Sequence, residues 1–285
     1  IESALELELF PENAFADGID YNSARNYNMW LLRNLQNGPG QNACKLRPFY
    51  IGEKYNIFQF PIFHSLMAFV PPEKYFKTNP EYFSMNKDGK RIKPRSAGIG
   101  GCLCMSNPKV AKVTAENMLA LIRKDRKLMP NGYCPKIYDL SLLDNFPYIC
   151  YCPECVKVIN AHGGEKGAGN TALMLLYSND VANQVAKEFP NVTIRIFAYS
   201  CCQKPSNTVK PAKNLLIQYC DLFAHGDSFR PLTHKFNKTS YKYLTGWSKT
   251  GASLMVWDYW NLVAGGAHRP DTVIDTIQPD FKLFQ

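Results

Sequence analysis

Short apolar runs separated by helical patterns constrain the fold of this chain more than any other feature. Six such runs cover residues 5–10, 57–63, 137–143, 193–199, 215–220 and 253–259. They are rich in β-branched and aromatic residues, which are typical of strands. The first run alternates Leu and Glu, but the later runs do not alternate. Because continuous apolar strands occur where helices cover a parallel sheet, we predict an α/β fold.

Helical patterns lie between the later runs. One begins at Pro108, a shorter one runs from Pro153 to Gly163, a third follows Gly169, and a last one covers residues 272–284. Strands and helices therefore alternate in the second half of the chain, and no glycine-rich phosphate loop follows a strand. This pattern favours a (β/α)8 TIM-barrel-like fold over a nucleotide-binding open sheet.

The net charge of +9 does not by itself indicate a nucleic-acid partner. Residues 87–95 carry a surplus of +4 and residues 123–127 a surplus of +3, which leaves +2 for the rest of the chain. Charge confined to one loop and one helix end is typical of a solvated face. No nucleic-acid-binding motif accompanies it, so we expect no such partner. We also expect no membrane span, because no run of about 18 apolar residues is present.

Polar and aromatic side chains follow the predicted strands, where the functional groups of a β/α barrel gather. In chain order they are His64, Asp144, Asn145, Tyr199, His225, Trp257, Asp258, Tyr259 and Trp260. An aromatic rim with isolated carboxylates suits a carbohydrate site, because aromatic rings stack on sugar faces and polar side chains bind hydroxyl groups. Alternatively, Asp144 and Asp258 cap helices or pair with basic residues.

Cleavage of a glycosidic bond needs one carboxyl group that protonates the leaving oxygen and a second that activates water or attacks carbon. We assign Asp144 as the general acid and Asp258 as the base or nucleophile. The other strand-end residues are predicted to bind substrate, and no cofactor is required for this chemistry.

The cysteines form a second candidate site. Cys150, Cys152 and Cys155 place three thiols within six residues, while Cys102 and Cys104 lie earlier in the chain. Structural zinc usually takes four ligands, often from two C-x2-C pairs, and only one such spacing is present here. Three interpretations therefore stay open: a structural zinc site that includes Cys150, Cys152 and Cys155, disulfide bonds, or buried free thiols.

Several segments carry a resemblance to a known family. They are Val70-Pro-Pro-Glu-Lys-Tyr-Phe76, Asn79-Pro-Glu-Tyr-Phe83, Asp88-Gly-Lys-Arg91, Cys104-Met-Ser-Asn-Pro108, Ser141-Leu-Leu-Asp-Asn145, Cys150-Tyr-Cys152-Pro-Glu-Cys155 and Val256-Trp-Asp-Tyr259. In this order they resemble the domain of unknown function 4838 family of Bacteroidetes, over most of the chain. The resemblance implies a (β/α)8-type barrel distantly similar to α-glucuronidase and hexosaminidase barrels, polysaccharide breakdown, and a secreted, periplasmic or cell-surface location. It also implies site roles for His64, Asp144, Asn145, His225, Asp258 and Tyr259.

The leading hypothesis is thus a glycoside hydrolase that acts on a polysaccharide or oligosaccharide, and the basic residues 87–95 favour one that contains uronates. The alternative is a non-catalytic glycan-binding protein on the same scaffold. A third hypothesis is a metal-stabilised barrel without a sugar ligand. Residues 1–285 are expected to form one barrel domain that is incomplete at its C-terminal end, as part of a longer protein, since the chain lacks an initiator Met and a signal peptide.

Overall fold

Four parallel strands form the centre of the computed structural model, which describes residues 64–94, 100–128, 136–144, 149–221, 230–257 and 274–284. The strands are β1 (Ile137–Asp139), β2 (Thr193–Ala198), β3 (Leu215–Cys220) and β4 (Ser253–Trp257). They lie side by side in chain order, and every neighbouring pair is parallel. The register places Asp139 beside Arg195. It also places Gln218 beside Phe197 on one side and beside Met255 on the other.

Helices account for about half of the remaining described residues. They are α1 (Leu66–Phe69), α2 (Pro72–Tyr75), α3 (Pro108–Leu128), α4 (Pro153–Ala161), α5 (Gly169–Ala186), α6 (Lys238–Ser248) and α7 (Ile274–Phe284). Three single 3-10 turns lie at Pro80–Tyr82, Ser200–Cys202 and Lys235–Asn237. Among the described residues, no helix combines the length and apolar character that crossing a bilayer requires.

The helix termini follow their sequence signals. α3 begins with Pro108 at its first position, where a missing N–H costs nothing, and the Asn107 side chain accepts a hydrogen bond from Lys109 N at 3.0 Å. α4 ends at Ala161, after which Gly163 and Gly164 adopt φ angles of +100° and +73°. These angles lie in the left-handed region that glycine enters without strain. Both predicted helices are confirmed.

The two faces of the sheet have different surroundings. On one face, Tyr138 donates a hydrogen bond to Asp125 of α3 at 2.9 Å, and Tyr219 donates to the Ser240 carbonyl of α6 at 3.1 Å. Side chains alternate between faces along a strand, so Asp139 and Arg195 point to the opposite face. Helices α3 and α6 thus pack on one face, and the other face carries buried polar groups.

The strands predicted at 193–199 and 215–220 are confirmed, and the run at 253–259 begins with β4. The run at 137–143 is a strand only as far as Asp139, so the prediction for its second half is wrong. The reason is local: the backbone N–H and the hydroxyl of Ser141 both bond to the Asp139 carboxylate, at 3.3 and 2.6 Å, in place of ladder hydrogen bonds. The predicted runs at 5–10 and 57–63 lie outside the described residues.

The α/β class of the prediction is confirmed for the described part of the chain, which holds four parallel strands. The last predicted helix is also present, as α7, with Pro279 inside it. Three described helices, α1, α2 and α6, have no counterpart among the predicted elements.

Candidate functional site

Three residues predicted to belong to the site meet at the carboxyl-terminal edge of the sheet. Asp144 follows β1, and its Oδ1 accepts a hydrogen bond from the Tyr199 hydroxyl at 3.0 Å. The Nε2 atom of His64 lies 4.0 Å from the same oxygen. Asp144 therefore contacts a phenol and an imidazole, and in the described residues it forms no pair with Arg or Lys.

A row of aromatic rings lies along the carboxyl-terminal ends of the strands. The imidazole of His64 makes an edge-to-face contact with Phe197, with ring centroids 5.6 Å apart. Phe197 contacts Trp257 at the end of β4 in the same manner, at 6.2 Å. The rings of His64 and Tyr199 are 6.5 Å apart. Phe197 was not among the predicted site residues. It lies two positions before Tyr199, and this spacing in extended backbone points both side chains to the same face.

The hydrogen bonds of His64 fix the position of its ring protons. Its Nδ1 lies 2.7 Å from the carbonyl oxygen of Leu142. A carbonyl oxygen can only accept a hydrogen bond, so Nδ1 carries a proton. Nε2 is therefore an acceptor in the neutral ring and a donor in the imidazolium, and this is the atom that faces Asp144. At 4.0 Å the imidazole and the carboxyl group are close neighbours but beyond direct hydrogen-bond distance.

The backbone at His64 is held in a strained conformation. Its φ angle is +53°, and Ser200, directly after Tyr199, has a φ angle of +52°. Residues other than glycine rarely adopt such angles unless surrounding contacts enforce them. At His64 the backbone N–H donates to Ser141 Oγ at 2.6 Å, and the adjacent Ser65 hydroxyl donates to the Asp139 carbonyl at 2.8 Å.

A buried network of charged and polar side chains holds the backbone of His64. Arg195 Nε and Nη2 contact Asp139 Oδ1 at 2.8 and 2.7 Å, and Arg195 Nη1 donates to Gln218 at 2.8 Å. The Ser141 hydroxyl donates to the other carboxylate oxygen of Asp139 and accepts from His64 N. The network therefore connects three strands to the backbone of His64. Sequence reasoning missed it, although charged residues inside apolar runs were a signal, because a buried charge needs a partner.

The side chains of the site differ in how much of their surface is exposed to solvent. The side chain of Asp144 is 51% exposed and that of His64 is 21% exposed, so both can contact a ligand at the open edge. Trp257 ends β4 at the same edge. The remaining predicted site residues, which are Asn145, His225, Asp258, Tyr259 and Trp260, lie outside the described residues.

The second candidate site is a cluster of four buried cysteines. The Sγ atoms of Cys104, Cys150, Cys152 and Cys155 all lie within 4.8 Å of one another, so the group can hold a metal ion. Cys104 Sγ is 3.4 Å from Cys152 Sγ and 3.8 Å from Cys155 Sγ. The three predicted metal-binding cysteines are thus together, and Cys104 is the fourth member that the sequence reasoning did not assign. All eight described cysteines are free thiols.

The local structure around the cluster explains its form. Cys104 lies just before α3, Cys152 is the residue that caps the N-terminus of α4, and Cys155 is in its first turn. The positive end of a helix dipole favours ionised sulfur there. Backbone N–H groups of Met85 and Cys152 point at Cys150 Sγ, at 3.2 and 3.4 Å.

The four thiols perturb one another's ionisation. Hydrogen bonding with Cys150 lowers the pKa of Cys104 to about 6. Hydrogen bonds with Cys104, Cys150 and Cys155 lower the pKa of Cys152. Conversely, hydrogen bonding with Cys104 raises the pKa of both Cys150 and Cys155, because a thiol that donates to a neighbouring sulfur retains its proton. Ready ionisation of two of the four sulfurs suits metal ligation, since the thiolate is the ligand.

The chain matches the family described as Domain of unknown function (DUF4838) over residues 12–285. It belongs to the DUF4838 family. A comparison with curated proteins found no match. Every residue of both candidate sites lies within the part of the chain that matches DUF4838.

Three arginines in the basic segments of this DUF4838 domain make intramolecular contacts. In the segment at 123–127, Arg123 forms a two-point pair with Glu188, and the Arg126 guanidinium lies 5.8 Å from the centre of the Phe189 ring. In the segment at 87–95, Arg91 donates to the Phe83 carbonyl at 2.7 Å. These arginines therefore contact other groups of the same chain, as basic side chains on a solvent-facing surface commonly do.

Proposed function

We propose that this DUF4838 protein is a glycoside hydrolase that acts on a polysaccharide or oligosaccharide at the carboxyl-terminal edge of its sheet. The observation that carries the proposal is the meeting of Asp144, His64 and Tyr199 beside the aromatic rings of Phe197 and Trp257. Proton-transfer groups next to aromatic faces are what hydrolysis of a sugar chain needs.

In this proposal Asp144 is the general acid. Tyr199 holds Asp144 Oδ1, so transfer of a proton to the leaving glycosidic oxygen falls to Oδ2. Nε2 of His64, 4.0 Å from Asp144 Oδ1, returns a proton to the carboxyl group through one water molecule between turnovers. Asp258, which follows Trp257 in the chain, is the second carboxylate and acts as base or nucleophile. Asn145, His225, Tyr259 and Trp260 complete the substrate-binding group in this proposal.

The same proposal includes a (β/α)8 barrel. Parallel strands in sequential order, joined by right-handed crossovers, place all connecting helices on one face, as in a barrel, whereas a doubly wound sheet reverses its strand order. Residues 64 and 65, which follow a predicted strand at 57–63, contact Asp139 and Ser141 at the end of β1. A barrel strand next to β1 would bring them to this position. The polar network of Asp139 and Arg195 then belongs to the barrel interior.

Turnover on a panel of neutral and uronate-containing polysaccharides, measured as new reducing ends, tests the function. For a substrate that is cleaved, we expect Asp144→Asn to lower the rate by about 10²- to 10⁴-fold. The control is Asp180→Asn, an exposed Asp on α5, which should leave the rate unchanged. Equal rates for wild type and Asp144→Asn would refute the catalytic assignment. Equal rates on neutral and uronate-containing chains would refute the preference for uronates.

A non-catalytic glycan-binding protein is the second candidate, because the partly exposed ring of Trp257, which packs on the buried ring of Phe197, can bind sugar without cleavage. Isothermal titration with the same panel separates the two. Binding that Trp257→Ala abolishes, with no product after long incubation of the wild type, would favour this candidate over the hydrolase.

We further propose that the four cysteines hold a structural zinc ion. A Zn–S distance of about 2.3 Å in a tetrahedron implies sulfur separations of about 3.8 Å. Cys104 Sγ lies 3.4 and 3.8 Å from two of the other sulfurs, and all four lie within 4.8 Å of one another, so side-chain adjustments of about 1 Å would bring them to the metal. Elemental analysis of protein purified without chelator should find about one zinc per chain. Loss of that zinc in Cys104→Ser, but not in Cys220→Ser, would support the fourth ligand, and zinc-free wild-type protein would refute the site.

A location outside the cytoplasm fits a polysaccharide substrate, and we propose that the protein is secreted, periplasmic or on the cell surface. A metal-bound thiolate is protected from the disulfide exchange that such compartments promote. Fractionation of the source cells with markers for each compartment tests the location. Recovery of the protein only with the cytoplasmic marker would refute it.

A further inference from the structure

We propose that Arg91 and Ser106 form an outer layer of hydrogen-bond donors around the four-cysteine centre. This layer slows attack on the centre by chelators and thiol reagents. The inference rests on the zinc site proposed above. It concerns residues that do not bind the metal and act on its sulfur ligands.

Ser106 covers the side of the cluster formed by three of the sulfurs. Its hydroxyl oxygen lies 3.0 Å from Cys155 Sγ, 3.8 Å from Cys104 Sγ and 3.9 Å from Cys152 Sγ. In the metal-bound form each cysteine is a thiolate, which can only accept, so Ser106 must be the donor. The shortest of these contacts directs the hydroxyl proton to Cys155.

Arg91 approaches the cluster at Cys150. Its Nη1 lies 3.9 Å from Cys150 Sγ and donates to the Phe83 carbonyl at 2.7 Å, so one nitrogen of the guanidinium contacts both the backbone and the sulfur. Arg91 also forms a β-bridge with Met85, whose own N–H points at Cys150 Sγ. The hairpin at residues 85–91 thus brings one cation and one backbone donor to the same sulfur.

The charge of the centre explains why such donors are needed. A divalent metal with four thiolates carries a net charge of about −2, and all four cysteines are buried. Burial of this charge is costly unless nearby cations and hydrogen-bond donors compensate it. A sulfur that accepts hydrogen bonds is also a weaker nucleophile, because its lone pairs are engaged. Arg91 and Ser106 therefore retain the metal and slow attack on its ligands.

The test is the rate of zinc release from the zinc-loaded full chain, followed with an excess of a chromogenic zinc chelator, with and without iodoacetamide. We expect Arg91→Ala and Ser106→Ala each to release zinc about 10- to 100-fold faster than wild type. Lys90→Ala is the matched control, because Lys90 is an exposed base in the same hairpin, and its rate should equal that of wild type. Arg91→Lys and Ser106→Thr serve as milder variants if either alanine variant does not fold.

The outcomes separate this inference from the zinc site. Wild-type protein without bound zinc would overturn the site and, with it, the outer layer. Wild-type protein with one zinc, together with unchanged release rates in the Arg91 and Ser106 variants, would overturn the outer layer alone. Faster release in both, with an unchanged rate in Lys90→Ala, would support it.

Discussion

Replacing Asp139 by Asn removes the charge partner of Arg195 and keeps the shape of the side chain. Both side chains are enclosed: that of Arg195 is 4% exposed and that of Asp139 is 0% exposed. Arg195 then keeps its positive charge in the protein interior, with Gln218 as a neutral partner. The loss of stability should therefore be that of an uncompensated buried charge.

The magnitude follows from the contacts. Removal of one partner of a buried ion pair costs about 3–5 kcal/mol. The amide oxygen of Asn can still accept one hydrogen bond from Arg195, which places Asp139→Asn near the lower end of this range, at about 3 kcal/mol. With that oxygen facing Arg195, the amide NH2 group faces Ser141, so Asp139→Asn and Asp139→Ala both remove the acceptor of the Ser141 hydroxyl. Asp139→Ala also lacks the acceptor for Arg195, which adds about 1 kcal/mol.

The assay is urea-induced unfolding followed by tryptophan fluorescence, with the free energy of unfolding taken by linear extrapolation. Glu188→Gln is the control, since it removes the partner of Arg123 in an exposed pair and should change the midpoint little. A loss of less than about 1 kcal/mol in Asp139→Asn would refute the reasoning, because it would mean that solvent reaches Arg195. Replacement of both partners together, as Asp139→Leu with Arg195→Met, should recover much of the loss.

Three further predictions concern other parts of the molecule. Neutral His64 should carry its proton on Nδ1, because Leu142 accepts from that atom; ¹⁵N chemical shifts of the ring measure the tautomer, and a proton on Nε2 would contradict it. Burial raises the pKa of several Cys and Tyr side chains, among them Tyr177, Tyr219, Cys202 and Cys220. Above about pH 8.5 for Cys and about pH 10 for Tyr, the unfolded chain releases protons that the folded chain keeps. The free energy of unfolding should therefore fall by up to about 1.4 kcal/mol per group and pH unit. Urea titrations up to about pH 11 measure this fall, and constant stability would be the contrary result. Removal of zinc should free the hairpin at residues 85–91 from Cys150 and speed tryptic cleavage within it, as mapped by mass spectrometry; equal cleavage with and without zinc would count against the site.

Strands could be predicted from the sequence where a segment is buried along its whole length and therefore forms a continuous apolar run. The runs that became β2 and β3 are fully apolar apart from Arg195 and Gln218, and their predicted bounds agree with the observed ones to within one residue. The run at β1 ended early because Ser141 bonds to Asp139, and such competition between side chain and backbone leaves no trace in an apolar pattern.

Helix α6 could not be predicted because its residues have weak helix propensity. It contains Thr239, Thr245 and Gly246, which are poor helix formers. Tertiary contacts stabilise it: Trp247 is fully buried and donates a hydrogen bond from Nε1 to the Gln203 carbonyl at 2.7 Å. This is packing that outweighs local preference.

The two candidate sites were predictable to different degrees. Positions after strands brought His64, Asp144 and Tyr199 into one group, because the carboxyl ends of parallel strands share an edge. The pairing of Asp139 with Arg195 depends on strand register, which the sequence does not display. Cys104 was missed for a similar reason, since it lies 48 positions from Cys152 and meets it only in the folded chain.

The most direct test of the proposed site is a crystal structure of the Asp144→Asn protein with an oligosaccharide from a polysaccharide that the wild type cleaves. We expect a sugar ring against Trp257 and a glycosidic oxygen within about 3 Å of the side chain at position 144. An oligosaccharide bound away from His64, Tyr199 and position 144 would contradict the account.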